Sequence, residues 1–206
     1  MNIGEWVRHI CSIFQCERYE VEFHIIKIRY DIQSLRNNFP KLRGIDIKCF
    51  KLEPNEIDIQ CAQNIMRAFL PDVKYVILQG VSLRDIQHIG MANLEELMIN
   101  PVRNPKFDDF LTLNVERCTF HTDRFSLRDL NRLFKLWKKG TFPKLKEFTV
   151  LGETNADLNV LLKGLQAKGA EGEAEYTIKN CYGIRAKITV YNNIPASVFV
   201  SFTVSK

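Results

Sequence analysis

The sequence has no run of apolar residues approaching the ~18 that a membrane-spanning helix needs. Its opening, Met1-Asn2-Ile3-Gly4-Glu5-Trp6 followed by Arg8-His9, lacks the basic stretch, apolar core and small-residue cleavage site of a secretory leader. Cysteine is sparse. Cys11, Cys16, Cys49, Cys61, Cys118 and Cys181 show no pairing rhythm and no C-x-x-C, which argues against a disulfide framework and for reduced, buried thiols. The expected compartment is therefore cytoplasmic or nuclear.

The motifs of common chemistries are missing too. There is no G-x-G-x-x-G, no Walker loop and no G-x-S-x-G; Gly140 and Gly152 stand alone, as a helix end and a turn. The adjacent pairs Asp108-Asp109 and Glu95-Glu96 would point to opposite faces of an extended segment, a poor arrangement for acid/base work. Four histidines are present, His9, His24, His88 and His121. Cys118-Thr119-Phe120-His121 could form half of a zinc site, but no second pair matches it, and it reads as a buried thiol beside a surface histidine. The expectation is a chain with no cofactor, no metal and no catalytic site, so not an enzyme.

What is present suits an ordinary globular interior: 46% hydrophobic residues, fourteen of them Phe, with 26% charged. The net charge of +5 permits an acidic partner without specifying nucleic acid. No Gly/Ser-rich linker divides the chain. The reading is a single domain over 1–206, with an α/β part at 1–165 and a β-rich cap at 166–206. Lys168–Glu173, small and charged, reads as a surface loop.

Apolar spacing predicts three helices. Residues 3–14 put Ile3, Trp6, Ile10, Ile13 and Phe14 on one face. Residues 56–70 begin after Pro54-Asn55, align Ala62, Ile65, Met66 and Phe69, and stop before Pro71. In the third, Ser126 caps with Asp129 three residues on. Leu127, Leu130, Leu133, Phe134 and Trp137 form its stripe, and Lys138-Lys139-Gly140 end it.

One strand template recurs: Leu42-x-x-Ile45-x-Ile47, Val73-x-x-Val76-x-Leu78, Leu94-x-x-Leu97-x-Ile99, Phe110-x-x-Leu113-x-Val115 and Leu145-x-x-Phe148-x-Val150. This is the strand signature of leucine-rich repeats, in which no unit buries its apolar face alone. The starts are 31, 21, 16 and 35 residues apart, so the expected fold is a degenerate leucine-rich-repeat-like strand–helix solenoid. Strand-like runs at 175–179, 186–191 and 198–204, with a turn at Asn192–Pro195, would close it as an antiparallel sheet.

Two surfaces follow. The outward alternates of the strands are Asp46, Lys48, Tyr75, Ile77, Gln79, Glu96, Met98, Thr112, Asn114, Glu116, Glu147 and Thr149. Tyr75, Ile77 and Met98 would form the apolar centre of a protein-binding face with a polar rim, or else lie under the C-terminal sheet as core. On the third helix Arg128, Arg132, Lys135 and Lys139 make one basic stripe. It reads as a solvated face, or as a contact for an acidic protein or phosphate.

The segment Ser126-Leu-Arg-Asp-Leu-Asn131-Arg-Leu-Phe-Lys135-Leu-Trp137-Lys-Lys-Gly140-Thr-Phe-Pro143-Lys-Leu145 resembles the hallmark of the nematode F-box-associated domain, type 2, which reads close to L-N-x-F-L-K-x-W-x-x-G-x-x-x-x-L. Residues 5–14 are similar to the opening of that region. Leu133-Phe134 and Thr141-Phe142 depart from the hallmark, and residues 183–186 look compressed. The resemblance implies the target-binding part of an F-box protein, whose F-box recruits Skp1 and a cullin-type ubiquitin ligase. The residues before Glu5 leave no room for that F-box, so Skp1 is expected as a partner only where an F-box is supplied. The alternatives are a stand-alone binder that inhibits or sequesters a host protein, as in toxin–antidote pairs, and a nucleic-acid binder using the basic stripe. No membrane partner is expected.

Overall fold

The computed structural model describes residues 3–15, 19–25, 31–39, 42–51, 53–81, 89, 92–100, 107–122, 125–152, 157–169, 174–193 and 197–205. They fall into two compact units, Met1–Arg103 and Asn104–Lys206.

Unit 1 contains α1 (Ile3–Ile13), β1 (Tyr19–His24), α2 (Ile32–Asn38), β2 (Leu42–Lys48), α3 (Glu56–Phe69), β3 (Tyr75–Gln79) and β4 (Leu94–Asn100). The strands are parallel, in the order β1-β2-β3-β4. The template explains why. Leu42, Ile45 and Ile47, then Val73, Val76 and Leu78, then Leu94, Leu97 and Ile99 are all buried. Each triplet stacks on the next to make one core. Helix α3 closes that core with Ala62, Ile65, Met66 and Phe69, and the Phe69 ring stacks on Phe23 of β1 at 5.7 Å between centroids. Its start is held by a reciprocal capping box between Asn55 and Asp58.

The ladder continues past the strand ends. Cys49 N–H donates to Gln79 O at 2.8 Å, and Gly80 N–H donates to Asn100 O at 2.7 Å. Gly80 has φ +65°, and a Cβ there would stand 2.0 Å from Cys49 O, so the close approach of β2 and β3 at this end requires glycine.

Helix α1 forms where expected, but much of its apolar face stays open to solvent: Trp6, Ile10 and Ile13 are 46–59% exposed. Strand β1 was not among the predicted elements.

Unit 2 contains α4 (Phe107–Phe110), β5 (Val115–His121), α5 (Leu127–Lys138), β6 (Glu147–Gly152), α6 (Leu158–Leu162), β7 (Glu175–Lys179), β8 (Arg185–Asn193) and β9 (Ser197–Val204). The fourth template copy does not lie at Phe110-x-x-Leu113-x-Val115. Phe110 ends a short helix, and residues 111–114 form a turn and extended link. The strand is Val115-x-x-Cys118-x-Phe120, with all three template positions buried. The copies then start 31, 21, 21 and 30 residues apart, at Leu42, Val73, Leu94, Val115 and Leu145. The pairing of β5 with β6 is parallel, as in unit 1.

Helix α5 has the predicted form. Ser126 and Asp129 make the capping box, and Leu127, Leu130, Leu133, Phe134 and Trp137 are buried. Phe134 stacks on Phe202 of β9 at 5.3 Å, and Trp137 meets the same ring edge-on at 5.0 Å. The buried Asn131 donates through Nδ2 to Leu161 O at 2.7 Å and Lys163 O at 3.0 Å, tying α6 to α5.

The C-terminal strands are antiparallel, as predicted. β9 pairs with β6, β8 with β9 and β7 with β8, so they extend the β5–β6 pair edge-on instead of lying over its face. Asn192 and Asn193 belong to β8, and the rest of the predicted turn lies outside the described residues. Of the Lys168–Glu173 loop, Lys168 bridges Thr177, and residues 170–173 lie outside them.

Candidate functional site

Alternation puts every second strand residue on the side away from the core. In unit 1 the ladder lines those residues up in three rows. Glu20, Gly44, Tyr75 and Glu96 form the first, Glu22, Asp46, Ile77 and Met98 the second, and His24, Lys48, Gln79 and Asn100 the third. The expected residues Asp46, Lys48, Tyr75, Ile77, Gln79, Glu96 and Met98 thus share one face of unit 1. Ile77 and Met98 are Cα partners and both stay partly exposed, two apolar side chains together among polar ones.

Tyr75 is held rigidly. Its hydroxyl accepts from Arg43 Nη2 at 2.7 Å and donates to Glu95 Oε2 at 3.0 Å, while the guanidinium lies 4.8 Å from the ring centroid. An ordered aromatic loses little side-chain freedom when a partner packs on it.

Charge on this face is tightly linked. Lys48 Nζ lies 2.6 Å from Glu22 Oε2 and 3.2 Å from Asp46 Oδ2, and His24 also meets Glu22. The hydrogen bond from Lys48 holds the Glu22 carboxyl below its usual range. Burial pushes the Asp46 carboxyl up, against the opposing pull of Lys48. Gln79 Nε2 donates to Asp46 Oδ2 at 3.3 Å, and Asp46 Oδ1 is buried with no hydrogen-bond partner.

The corresponding rows of β5 and β6 in unit 2 are Arg117 beside Glu147, Thr119 beside Thr149 and His121 beside Leu151. Glu147 and Thr149 are where the template put them. Thr112 and Asn114, expected on a strand, sit before β5 instead, because the strand begins at Val115. Glu116 lies near the start of β5 and is ion-paired with Lys146. Arg117, Thr119 and His121 take the outward places that the displaced copy had assigned to Thr112, Asn114 and Glu116.

Missing from the sequence reading of the unit 1 face were Glu20, Glu22, His24 and Gly44. A signal for the first three existed: Tyr19-Glu-Val-Glu-Phe-His alternates apolar or aromatic with polar residues over a strand's length.

On α5, Arg128, Arg132, Lys135 and Lys139 are all exposed. Arg132 is partly neutralised, its Nη1 lying 3.0 Å from Asp108 Oδ1, and it sits 5.7 Å from the Phe107 ring centroid.

The Cys118 side chain points into the core while His121 is exposed, so one metal ion cannot take both at this point of β5. Burial pushes the Cys118 thiol far up, which keeps it protonated and a poor nucleophile. Of the other described cysteines Cys49 is buried, Cys11 and Cys61 are half-buried, and Cys181 is exposed, which corrects the expectation of buried thiols there. A cavity of about 200 Å³ lies between residues 110–114 and 141–145, with Cys118 and Phe148 among its lining. Among the described residues no cluster of metal-ligating side chains occurs, and no helix is long and apolar enough to cross a membrane.

In each unit parallel strands bury one side against helices and leave the other partly exposed, which defines an α/β protein with an open strand face. The sequence model of the F-box-associated family matches residues 85–150, which carry β4, β5, the hallmark helix α5 and most of β6. This segment belongs to that family. Among curated proteins no relative matches the chain.

Proposed function

We propose that the chain is a protein-binding module that recognises its partner through the outward strand face of unit 1. The observation that carries this is the Ile77–Met98 pair, partly exposed and in register, beside a Tyr75 already fixed by Arg43 and Glu95. An apolar centre with a charged rim suits a protein partner. The family match over residues 85–150 supports the same reading, because an F-box-associated region is consistent with a protein-interaction module of F-box proteins.

The specific role we assign is target recognition, as in the target-binding part of an F-box protein of a cullin-type ubiquitin ligase. The module acts in the cytoplasm or nucleus as a binder, not an enzyme. Its strand–helix units are a degenerate form of the leucine-rich repeat, with template starts 21–31 residues apart. Nucleic acid suits the unit 1 face poorly, because Glu20, Glu22, Asp46 and Glu96 would oppose phosphates.

The test is the set of proteins that co-purify with the wild-type chain and with an Ile77→Ser/Met98→Ser variant. The reading expects one stoichiometric partner that the folded variant loses. An unchanged set with the folded variant would overturn it.

A further inference from the structure

The middle anchor of the strand template is Ile45, Val76, Leu97 and Phe148 in four copies, whereas β5 carries Cys118, the smallest of the five. Cys118 lines the unit 2 cavity of about 200 Å³ between residues 110–114 and 141–145. Phe110, Val115, Leu133, Leu145 and Phe148 line it too, and all six are buried, so its inner part is apolar. Burial holds the Cys118 thiol protonated, which makes it an apolar wall group there and not a reactive one.

The outer part differs. Thr112, Thr141 and Lys144 are exposed and Asn114 is half-buried, so the cavity meets solvent through a polar rim. Thr112 Oγ1 is committed to Asp109 O at 3.0 Å, and Lys144 already has a partner. The Asn114 carboxamide makes no hydrogen bond among the described residues, which leaves its donor and its acceptor to whatever enters. Among the described residues no carboxylate lines the cavity, so nothing in it would hold a cation.

Size and lining together define the guest. An apolar cavity of about 150 Å³ is enough for a benzene ring. Left unfilled, such a space costs stability in proportion to its volume, because the lining atoms lack neighbours at contact distance. An apolar ring restores the contacts that the short Cys118 side chain does not make.

We propose that this cavity binds a small, neutral, mainly apolar molecule of one ring or two fused rings, inserted ring first with a single polar group at Asn114. The site lies wholly within unit 2 and does not depend on the unit 1 face. Its ligand stabilises the folded chain by mass action.

Indole, two fused rings with one N–H, is the probe. Titrated into the full ¹⁵N-labelled chain, it should shift the amide signals of Val115, Cys118 and Phe148 saturably and raise the thermal midpoint. Cys118→Leu restores the template residue and fills the space, so it should abolish the shifts at Val115 and Phe148. Thr141→Trp, at an exposed rim position, should block the mouth without altering the core, and it serves where leucine is not tolerated at 118. Asn114→Ala should weaken binding about threefold to tenfold, the worth of one hydrogen bond. No saturable shift at these residues up to about 10 mM indole, well above a millimolar Kd, would overturn the proposal. So would undiminished binding in folded Cys118→Leu or Thr141→Trp, and undiminished binding in Asn114→Ala would overturn the placement of the polar group.

Discussion

The backbone of Gly80 approaches the carbonyl oxygen of Cys49 so closely that a β-carbon would lie 2.0 Å from it. That contact sits where the ladder runs on past β2 and β3, and Gly80 holds φ +65° to make it. Gly80→Ala therefore meets two penalties, a left-handed backbone that costs an L-residue about 1–2 kcal/mol and a clash with main chain that cannot swing away. Urea denaturation should show a loss above ~2 kcal/mol. A midpoint within error of wild type would show that the strand ends are not joined as described.

Two aspartates of unit 1 should respond to pH in opposite senses. For Asp58, burial alone would raise the carboxyl, but Lys51 at 2.7 Å and the Asn55 N–H outweigh it, and the result lies below the ordinary value. Its contribution to stability is present above the unfolded-state range near pH 4 and is lost as pH falls through the depressed folded value. Asp58→Asn should therefore destabilise at pH 7, with the difference from wild type shrinking in acid.

Asp46 is the reverse case. Burial raises its carboxyl, so the folded state favours the proton, and that advantage is full in acid and lost as pH rises through the folded value. Asp46→Asn should match or exceed wild-type stability at pH 7 and lose that margin below about pH 4. Thermal unfolding of both variants across pH 3–7 checks the pair. Parallel behaviour of the two would contradict the assignment.

Thiol access should follow burial. Iodoacetamide applied to the native chain should alkylate Cys181, which is exposed, well before Cys49 and Cys118. Both of these should react only after unfolding, Cys118 most sharply because burial also suppresses its thiolate. Peptide mapping by mass spectrometry reads the order, and early modification of Cys118 would refute the packing of β5.

Much of this architecture was legible because two periodicities are strong. Helix α5 carries capping residues, a 3.6-residue apolar stripe and a terminal glycine, and all of them act as their chemistry demands. Strands β2, β3, β4 and β6 were legible from three aliphatic or aromatic anchors each. The template failed at β5 for a specific reason. Phe110-x-x-Leu113-x-Val115 satisfies it by composition, while the real strand puts Cys118 and Phe120 at positions where leucine or isoleucine is expected. Strand β1 escaped because its ladder shifts between Tyr19 and Glu20, and only Phe23 within it is fully buried.

The candidate site was half legible. Which residues point outward follows from alternation, so Tyr75, Ile77 and Met98 could be named in advance. The rows in which they meet could not be, since these depend on the register of β1, β2 and β3 together, and no single segment encodes that. Amphipathicity likewise says that α1 has an apolar face but not whether anything covers it.

The central claim is that the outward face of unit 1 binds a protein. Its most direct test is the affinity of the purified co-purifying partner for wild type, for Ile77→Ser/Met98→Ser and for Arg128→Ser/Lys135→Ser on the α5 stripe, with thermal melting confirming that each is folded. The account predicts at least a tenfold loss, about 1.4 kcal/mol, for the Ile77/Met98 variant and almost none for the stripe variant. The opposite ranking, with the stripe variant losing affinity and the Ile77/Met98 variant retaining it, would contradict the account.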